Sequence, residues 1–247
     1  MTLAGLHVLN TRPAHQAAAL TQRLRAEGAR ITELPLIQIA PLPLPPEQQR
    51  LLLDLDRYDA VVFVSANAAR QGLDAVADYW PQWPHRLPAF AVGARTAQVL
   101  REAGLTVLTP PRPDSEGLLA MPELQQVQGR RFLLFRGEGG RALLSETLRE
   151  RGARLDTLEL YRRELPAGAA AQWQALQAAG DLPRLVILTS PDALRHWQQV
   201  AGEQATLPRW LVVSPRMRCQ AEAAGARVTE AAAADEASLL QALAAGV

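Results

Sequence analysis

Leu24-Arg25-Ala26-Glu27-Gly28-Ala29-Arg30 reappears as Leu148-Arg149-Glu150-Arg151-Gly152-Ala153-Arg154, with Gly28 and Gly152 in the same place 124 residues apart. Similarity of a chain to itself at a fixed offset marks a duplicated structural unit. The match extends in both directions. Val62-Phe63-Val64-Ser65 faces Ile187-Leu188-Thr189-Ser190 at an offset of 125, and Arg95 to Gly104 faces Arg216 to Gly225 at an offset of 121. Asp114 and Leu118 match Asp235 and Leu239. The drift falls at Trp80-Pro81-Gln82-Trp83-Pro84, which the second half shortens, and surface loops absorb such changes in length. The chain is therefore read as two β/α repeats, each about half its length.

Each repeat alternates short apolar runs with helical patterns. The runs at residues 6–9, 60–64, 89–92, 132–135, 185–188 and 210–213 are continuously apolar, as expected of strands covered on both faces. Residues 15–27 carry Ala17, Leu20, Thr21 and Leu24 at helical spacing, with Gly28 as the stop. This alternation predicts an α/β protein with doubly wound parallel sheets. Residues 31–39 and 155–163 take the same place in each repeat and run towards prolines, Pro41 to Pro46 and Pro166, so both are read as strands crossing between domains.

Composition narrows the function. The 247 residues are 48% hydrophobic and 21% charged, in proportions that suit a folded globular chain, and no apolar run is long enough for a membrane span. Twenty-six basic and 25 acidic residues leave a net charge of +1, so no global field favours nucleic acid or a membrane surface. Every basic residue is arginine; without lysine, Schiff-base chemistry and a phosphate-loop lysine are excluded. One cysteine, Cys219, and four scattered histidines give no metal-ligand spacing, so no metal is expected. The segment beginning Met1-Thr2-Leu3 has no basic stretch leading into an apolar one, and the expected location is the cytoplasm.

Ligands of doubly wound folds gather beyond the carboxyl ends of the strands. Duplicated arginines fall there: Arg12 with Arg136, and Arg95 with Arg216. They suggest an anion-binding rim, although solvated helix starts also carry arginine without any function. Ser65 with Asn67, Ser190 and Ser214 each follow a strand and open a helix, where a serine needs no role beyond capping. Ser115 lies in the cap-like Asp114-Ser115-Glu116-Gly117. Gly137-Glu138-Gly139-Gly140 lacks dinucleotide-loop spacing and reads as a tight turn. Tyr161 breaks the duplication, because its counterpart is Ile37. Period-two alternation puts Leu158 and Leu160 on one face and Thr157, Glu159 and Tyr161 on the other, so Tyr161 is expected away from the apolar face.

Taken in order, Thr11-Arg12-Pro13, Leu34-Pro35-Leu36, Val64-Ser65-Ala66-Asn67-Ala68, Val92-Gly93-Ala94-Arg95-Thr96, Asp114-Ser115-Glu116-Gly117-Leu118, Leu160-Tyr161-Arg162 and Thr189-Ser190-Pro191 resemble the uroporphyrinogen III synthase family over nearly the whole chain. The resemblance implies two α/β domains joined by a two-stranded connector: residues 1–38 with 165–247 in one, residues 41–160 in the other, and connectors near 38–41 and 160–165. It implies a cofactor-free, monomeric enzyme that closes hydroxymethylbilane to uroporphyrinogen III, with loss of water and inversion of ring D, on the way to heme, siroheme and cobalamin. It implies Tyr161 as the catalytic residue, and Ser65, Thr96, Ser115 and Ser190 as substrate contacts in a cleft between the domains. Ser214 or Arg216 would serve where relatives carry a hydroxyl and this chain has Met217. A transient encounter with the enzyme that makes the bilane also fits. Two rival readings remain: a non-catalytic two-domain binder of an anionic small molecule, and a tandem flavodoxin-like phosphate or nucleotide binder, the latter disfavoured because no glycine fingerprint or acidic ribose partner is in place.

Overall fold

The computed structural model describes residues 3–140 and 142–246. Met1 and Thr2, where the segment read for a leader begins, lie outside it, as do Arg141 and Val247. In chain order the strands are β1 (His7–Asn10), β2 (Arg30–Glu33), β3 (Gln38–Pro41), β4 (Ala60–Phe63), β5 (Ala89–Ala91), β6 (Val107–Leu108), β7 (Arg131–Gly137), β8 (Arg154–Glu164), β9 (Leu185–Ile187), β10 (Arg209–Val212) and β11 (Val228–Glu230). The helices are α1 (Ala14–Ala26), α2 (Pro46–Leu53), α3 (Ala66–Ala77), α4 (Ala94–Glu102), α5 (Ser115–Leu119), α6 (Leu143–Glu150), α7 (Ala169–Ala178), α8 (Pro191–Ala201), α9 (Pro215–Ala223) and α10 (Glu236–Gly246).

The chain divides into a terminal unit, Met1–Gln38 with Glu164–Val247, and a middle unit, Ile39–Arg163. The terminal sheet has the order β11-β10-β9-β1-β2, and the middle sheet β3-β8-β7-β4-β5-β6. The five terminal strands pair in parallel, as do β8, β7, β4, β5 and β6 in the middle unit. Under the sequence repeat β1 corresponds to β7, β2 to β8, and β9, β10 and β11 to β4, β5 and β6. Over these five strands each unit therefore takes two from one half of the chain and three from the other, and both arrive at the same order; β3, from the first half, adds a sixth strand at the β8 edge of the middle sheet. That order reverses between β1 and β9 and between β7 and β4, the topological switch points of a doubly wound sheet.

The repeated stretch ends a helix in the same way in both halves. Ala29 donates its amide to Leu24 and Gly28 to Arg25; Ala153 donates to Leu148 and Gly152 to Arg149. This crossed pair of bonds requires the left-handed backbone that glycine adopts without strain, and φ is +89° at Gly28 and +83° at Gly152. A strand then follows directly at Arg30 and at Arg154.

The continuous apolar runs are buried on both faces. In the middle unit Val61 and Phe63 pack into one core cluster, and Ala60 and Val62 into another on the opposite face. In the terminal unit Leu9, Val186 and Trp210 go one way, and Val8, Ile187 and Leu211 the other. No helix among the described residues is long and apolar enough to cross a membrane.

Two local expectations are corrected. Residues 31–39 do not form one strand: β2 stops at Glu33 and β3 begins at Gln38. Pro35 lies in the gap and has no amide for a ladder. Residues 155–163 do lie in one strand, the 11-residue β8, but its alternation is interrupted. The ladder pairs Arg136 with Glu159 and then Gly137 with Tyr161, so Leu160 is an extra residue. Such a bulge moves every later side chain to the other face. Tyr161 consequently joins Leu158, Leu160, Phe63 and Phe135 in the core, only 1% exposed, rather than turning away from the apolar face.

Candidate functional site

The switch point of the middle unit brings two side-chain hydroxyls together. β4 ends at Phe63 and Ser65 caps α3, its Oγ accepting the Ala68 amide at 3.0 Å. Extended backbone at Ser65 turns the hydroxyl onto the first helical turn, as N-capping requires. The same Oγ lies 2.8 Å from the Tyr161 hydroxyl. Arg163, two residues further along β8, donates from Nη2 to that hydroxyl at 3.3 Å, with its guanidinium carbon 5.5 Å from the ring centroid.

Gly137 makes room for this arrangement. A Cβ there would lie 2.6 Å from Cε2 and Cζ of Tyr161, so the end of β7 tolerates no side chain beside the ring. The expected tight turn is confined to residues 138–139, and Gly137 itself belongs to β7. The Glu138 amide then donates to the Tyr161 carbonyl at 2.7 Å, fixing the strand behind the phenol.

Counting protons shows what the hydroxyl pair can do. Ser65 Oγ already accepts from Ala68, and Tyr161 Oη accepts from Arg163, which can only donate. The two hydroxyls have two protons between them, and their mutual bond uses one. Whichever oxygen donates in that bond, the other is left with a proton for a third group.

The remaining expected residues divide by unit. In the middle unit Gly93 caps α4 with no side chain, Arg95 is exposed in the first turn, and Thr96 is 5% exposed among core positions of the helix. Asn67, second in α3, accepts from Arg70 at 3.4 Å. Ser115 opens α5, but the cap is Asp114, which accepts the Gly117 amide at 2.6 Å. Arg136 is not an open rim cation. Its Nε donates to the Gly137 carbonyl at 3.2 Å, Glu159 lies 3.7 Å away, and Gly140 leaves the space its guanidinium occupies.

In the terminal unit Ser190 and Ser214 cap α8 and α9, accepting from Ala193 at 3.1 Å and Met217 at 3.3 Å. Arg216 is exposed in the first turn of α9, whereas Arg12 is 6% exposed and its amide donates to Asn10 Oδ1. A solvated rim of four arginines is thus reduced to Arg95 and Arg216. No cluster of metal-ligating side chains occurs among the described residues.

Sequence reasoning missed Arg163 and Gly137. Arg163 was within reach, since residues two apart on a strand share a side. Gly137 was not, because its importance depends on the bulge that turns Tyr161 towards it.

Residues 18–241 match the family model described as Uroporphyrinogen-III synthase HemD. The uroporphyrinogen-III synthase of Escherichia coli (strain K12) is 32% identical over 257 residues, a match that covers 96% of this chain and 100% of that protein. That of Salmonella typhimurium (strain LT2) is 35% identical over 260 residues, with the same coverage of both, 96% and 100%. Among solved structures, uroporphyrinogen-III synthetase from Helicobacter pylori 26695 aligns with a TM-score of 0.66 at 15% identity, covering 97% of this chain and 99% of that one. A mutant uroporphyrinogen III synthase from the extremely thermophilic bacterium Thermus thermophilus aligns with a TM-score of 0.66 at 19% identity, covering 98% of each chain. At those identities the structural likeness speaks for the fold.

Proposed function

Because this chain belongs to the uroporphyrinogen-III synthase family, an enzyme family of tetrapyrrole biosynthesis, we propose that its chemistry is carried by the Ser65–Tyr161 hydroxyl pair on the middle unit. The reaction assigned is closure of hydroxymethylbilane to uroporphyrinogen III, a cyclising hydro-lyase step. The pair delivers its outward proton to the departing terminal hydroxyl of the bilane, which leaves as water. The azafulvenium that results is attacked by the substituted carbon of ring D. The spiro intermediate opens and closes again with ring D inverted, and a proton is lost to restore the pyrrole. Arg163 keeps one lone pair of Tyr161 occupied, so the phenol is held in a single orientation during proton transfer.

The observation that carries this reading is the 2.8 Å contact between two hydroxyls at a switch point, with an arginine donating to one of them. The start of α4 supports it. Gly93 has no side chain to occupy the first-turn amides and Arg95 stands beside them, which suits a substrate carboxylate. Asn67, Thr96 and Ser115 are proposed as further substrate contacts on the middle unit, and Ser190, Ser214 and Arg216 on the terminal one. No cofactor enters this scheme. The reading extends to a monomer working in the cytoplasm, where the exposed thiol of Cys219 would stay reduced, and to transient contact with the bilane-forming enzyme.

The same bilane can close without an enzyme to the uninverted isomer, so holding the geometry decides the product. The test is to supply freshly generated hydroxymethylbilane to the purified protein and separate the oxidised products by isomer. Predominantly isomer III is expected. Isomer I at the spontaneous rate, from a folded sample, would overturn the assignment.

A further inference from the structure

The amino end of the terminal sheet carries a feature that the reaction does not use. Arg184 precedes β9, Arg209 opens β10 and Arg227 precedes β11. Their backbones are joined at the start of the ladder: Arg209 donates its amide to the Arg184 carbonyl at 2.9 Å, and Trp210 donates to the Arg227 carbonyl at 2.8 Å, with Arg209 level with Leu185, one residue on from Arg184. Three guanidinium groups thus start from neighbouring strands about 4.8 Å apart. Arg227 donates to the Leu207 carbonyl and Arg209 to Thr229 Oγ1, but none of the three forms an ion pair among the described residues. Together they line a groove of about 570 Å³. Leu182 and Leu207 also line it and are 36% and 55% exposed, two of the four large apolar side chains exposed among the described residues.

The molecule contains its own control. The sequence repeat places Asp59, Pro88 and Thr106 where the terminal unit has Arg184, Arg209 and Arg227. Equivalent ladders support the match, since Ala89 pairs with Val107 as Trp210 pairs with Val228. The shared fold therefore does not require these arginines. Adjacent like charges work against the sheet that carries them unless an acidic group covers them.

We propose that this groove is a docking site for an acidic segment of a partner protein that also carries a leucine-sized apolar residue. Charge selects the acidic partner, because three guanidinium groups without a carboxylate attract one and offer it forked donors. The exposed leucines select a polypeptide over a small anion, since interface cores combine arginine with apolar contact and a free anion has no use for the latter. The groove lies at the amino ends of the strands, away from the carboxyl-end rim of the same sheet, so an occupant leaves that rim uncovered.

The probe is a fluorescein-labelled synthetic peptide alternating glutamate and leucine, followed by anisotropy with the whole protein. Binding is expected to weaken steeply with salt and by at least tenfold in the Arg184→Glu, Arg227→Glu double variant. Both residues are exposed, so isomer-III formation and the unfolding midpoint of the variant should match wild type. Replacing the leucines of the probe with serine should also weaken binding. The proposal is overturned by no binding to wild type or by equal binding to the double variant. It is also overturned if the serine probe or citrate binds as well as the leucine probe, which would mark a small-anion site, or if the groove arginines instead mediate sedimentation with anionic phospholipid vesicles.

Discussion

The middle and terminal units share a strand order, yet their cores are filled in opposite ways. In the middle unit Phe63 stacks on Phe135 with ring centroids 4.5 Å apart, and Gly72 of α3 leaves them room, since a Cβ there would meet both rings at 2.8 Å. The repeat puts Leu188, Thr11 and Trp197 at the corresponding positions of the terminal unit. There the helix supplies the bulk: Trp197 is fully buried, edge-on to Trp173 at 4.8 Å, and bonds from Nε1 to the Ala205 carbonyl at 3.0 Å. One layer of core has moved from strand to helix with the frame unchanged, as close packing at constant volume allows.

The rims diverge by the same kind of exchange. Where the middle unit has Gly137, Glu159 and Tyr161, the terminal unit has Pro13, Pro35 and Ile37. Pro35 ends β2 early, and the chain beyond it is held by the Leu36 amide on the Thr11 carbonyl and by His196 Nδ1 donating to the Leu36 carbonyl at 2.6 Å. In the middle unit the strand continues through a bulge, and glycine at the end of its neighbour lets a tyrosine turn in. The duplication supplied two equivalent rims, and a few local substitutions decided which of them would hold a hydroxyl pair.

Removing the filler of the terminal core gives the largest expected effect. Trp197→Ala should cost about 4 kcal/mol. Hydrogen exchange should show protection lost in β9 and β10 and kept in β4 and β7; equal loss in both sheets would show that the two cores are not separate. Next is the glycine that admits Tyr161. Gly137→Val should displace the ring and lower the rate of isomer-III formation by about 100-fold, the scale of losing a positioned proton donor. A folded variant at wild-type rate would show that the Ser65–Tyr161 contact is dispensable.

The smallest effect concerns the amino ends of the sheets. In the terminal unit His7 donates from Nε2 to Thr32 Oγ1 at 2.8 Å and accepts from Arg30 at Nδ1, a pattern that requires the neutral ring. Burial, then the Arg30 charge, holds the His7 pKa below its ordinary 6.5. The unfolded chain therefore takes up a proton that the folded one refuses, and stability falls as pH drops below about 6.5. The counterpart of His7 is Arg131, which stacks over Tyr58 at 4.8 Å. Urea unfolding at pH 7.5 and 5.5 should show a loss of up to about 1.4 kcal/mol per pH unit in wild type. His7→Gln should lose less, and an equal loss would place the titrating group elsewhere.

The frame is legible in the sequence because its signals are local and repeated. The offsets 124, 125 and 121 identify the strand correspondences, and apolar runs buried on both faces identify the parallel sheets. What is not legible depends on single residues read in three dimensions. The bulge at Leu160 has no glycine or proline to announce it, so period-two counting puts Tyr161 on the wrong face. Pro35 is visible in the sequence, but its counterpart Glu159 does lie in a strand, and the repeat therefore draws one through both. Arg12 and Arg136 repeat as if both were rim cations. The folding of Arg136 back onto Glu159 depends on the room that Gly140 leaves, which spacing along the chain does not show.

The most direct test of the account is the rate and isomer distribution of Tyr161→Phe with freshly generated hydroxymethylbilane, measured beside wild type. The variant should remain folded, because only one hydroxyl is lost, while isomer III forms about 100-fold more slowly and the spontaneous isomer I takes its place. Wild-type rate and isomer III from the folded variant would contradict the assignment of the chemistry to this rim.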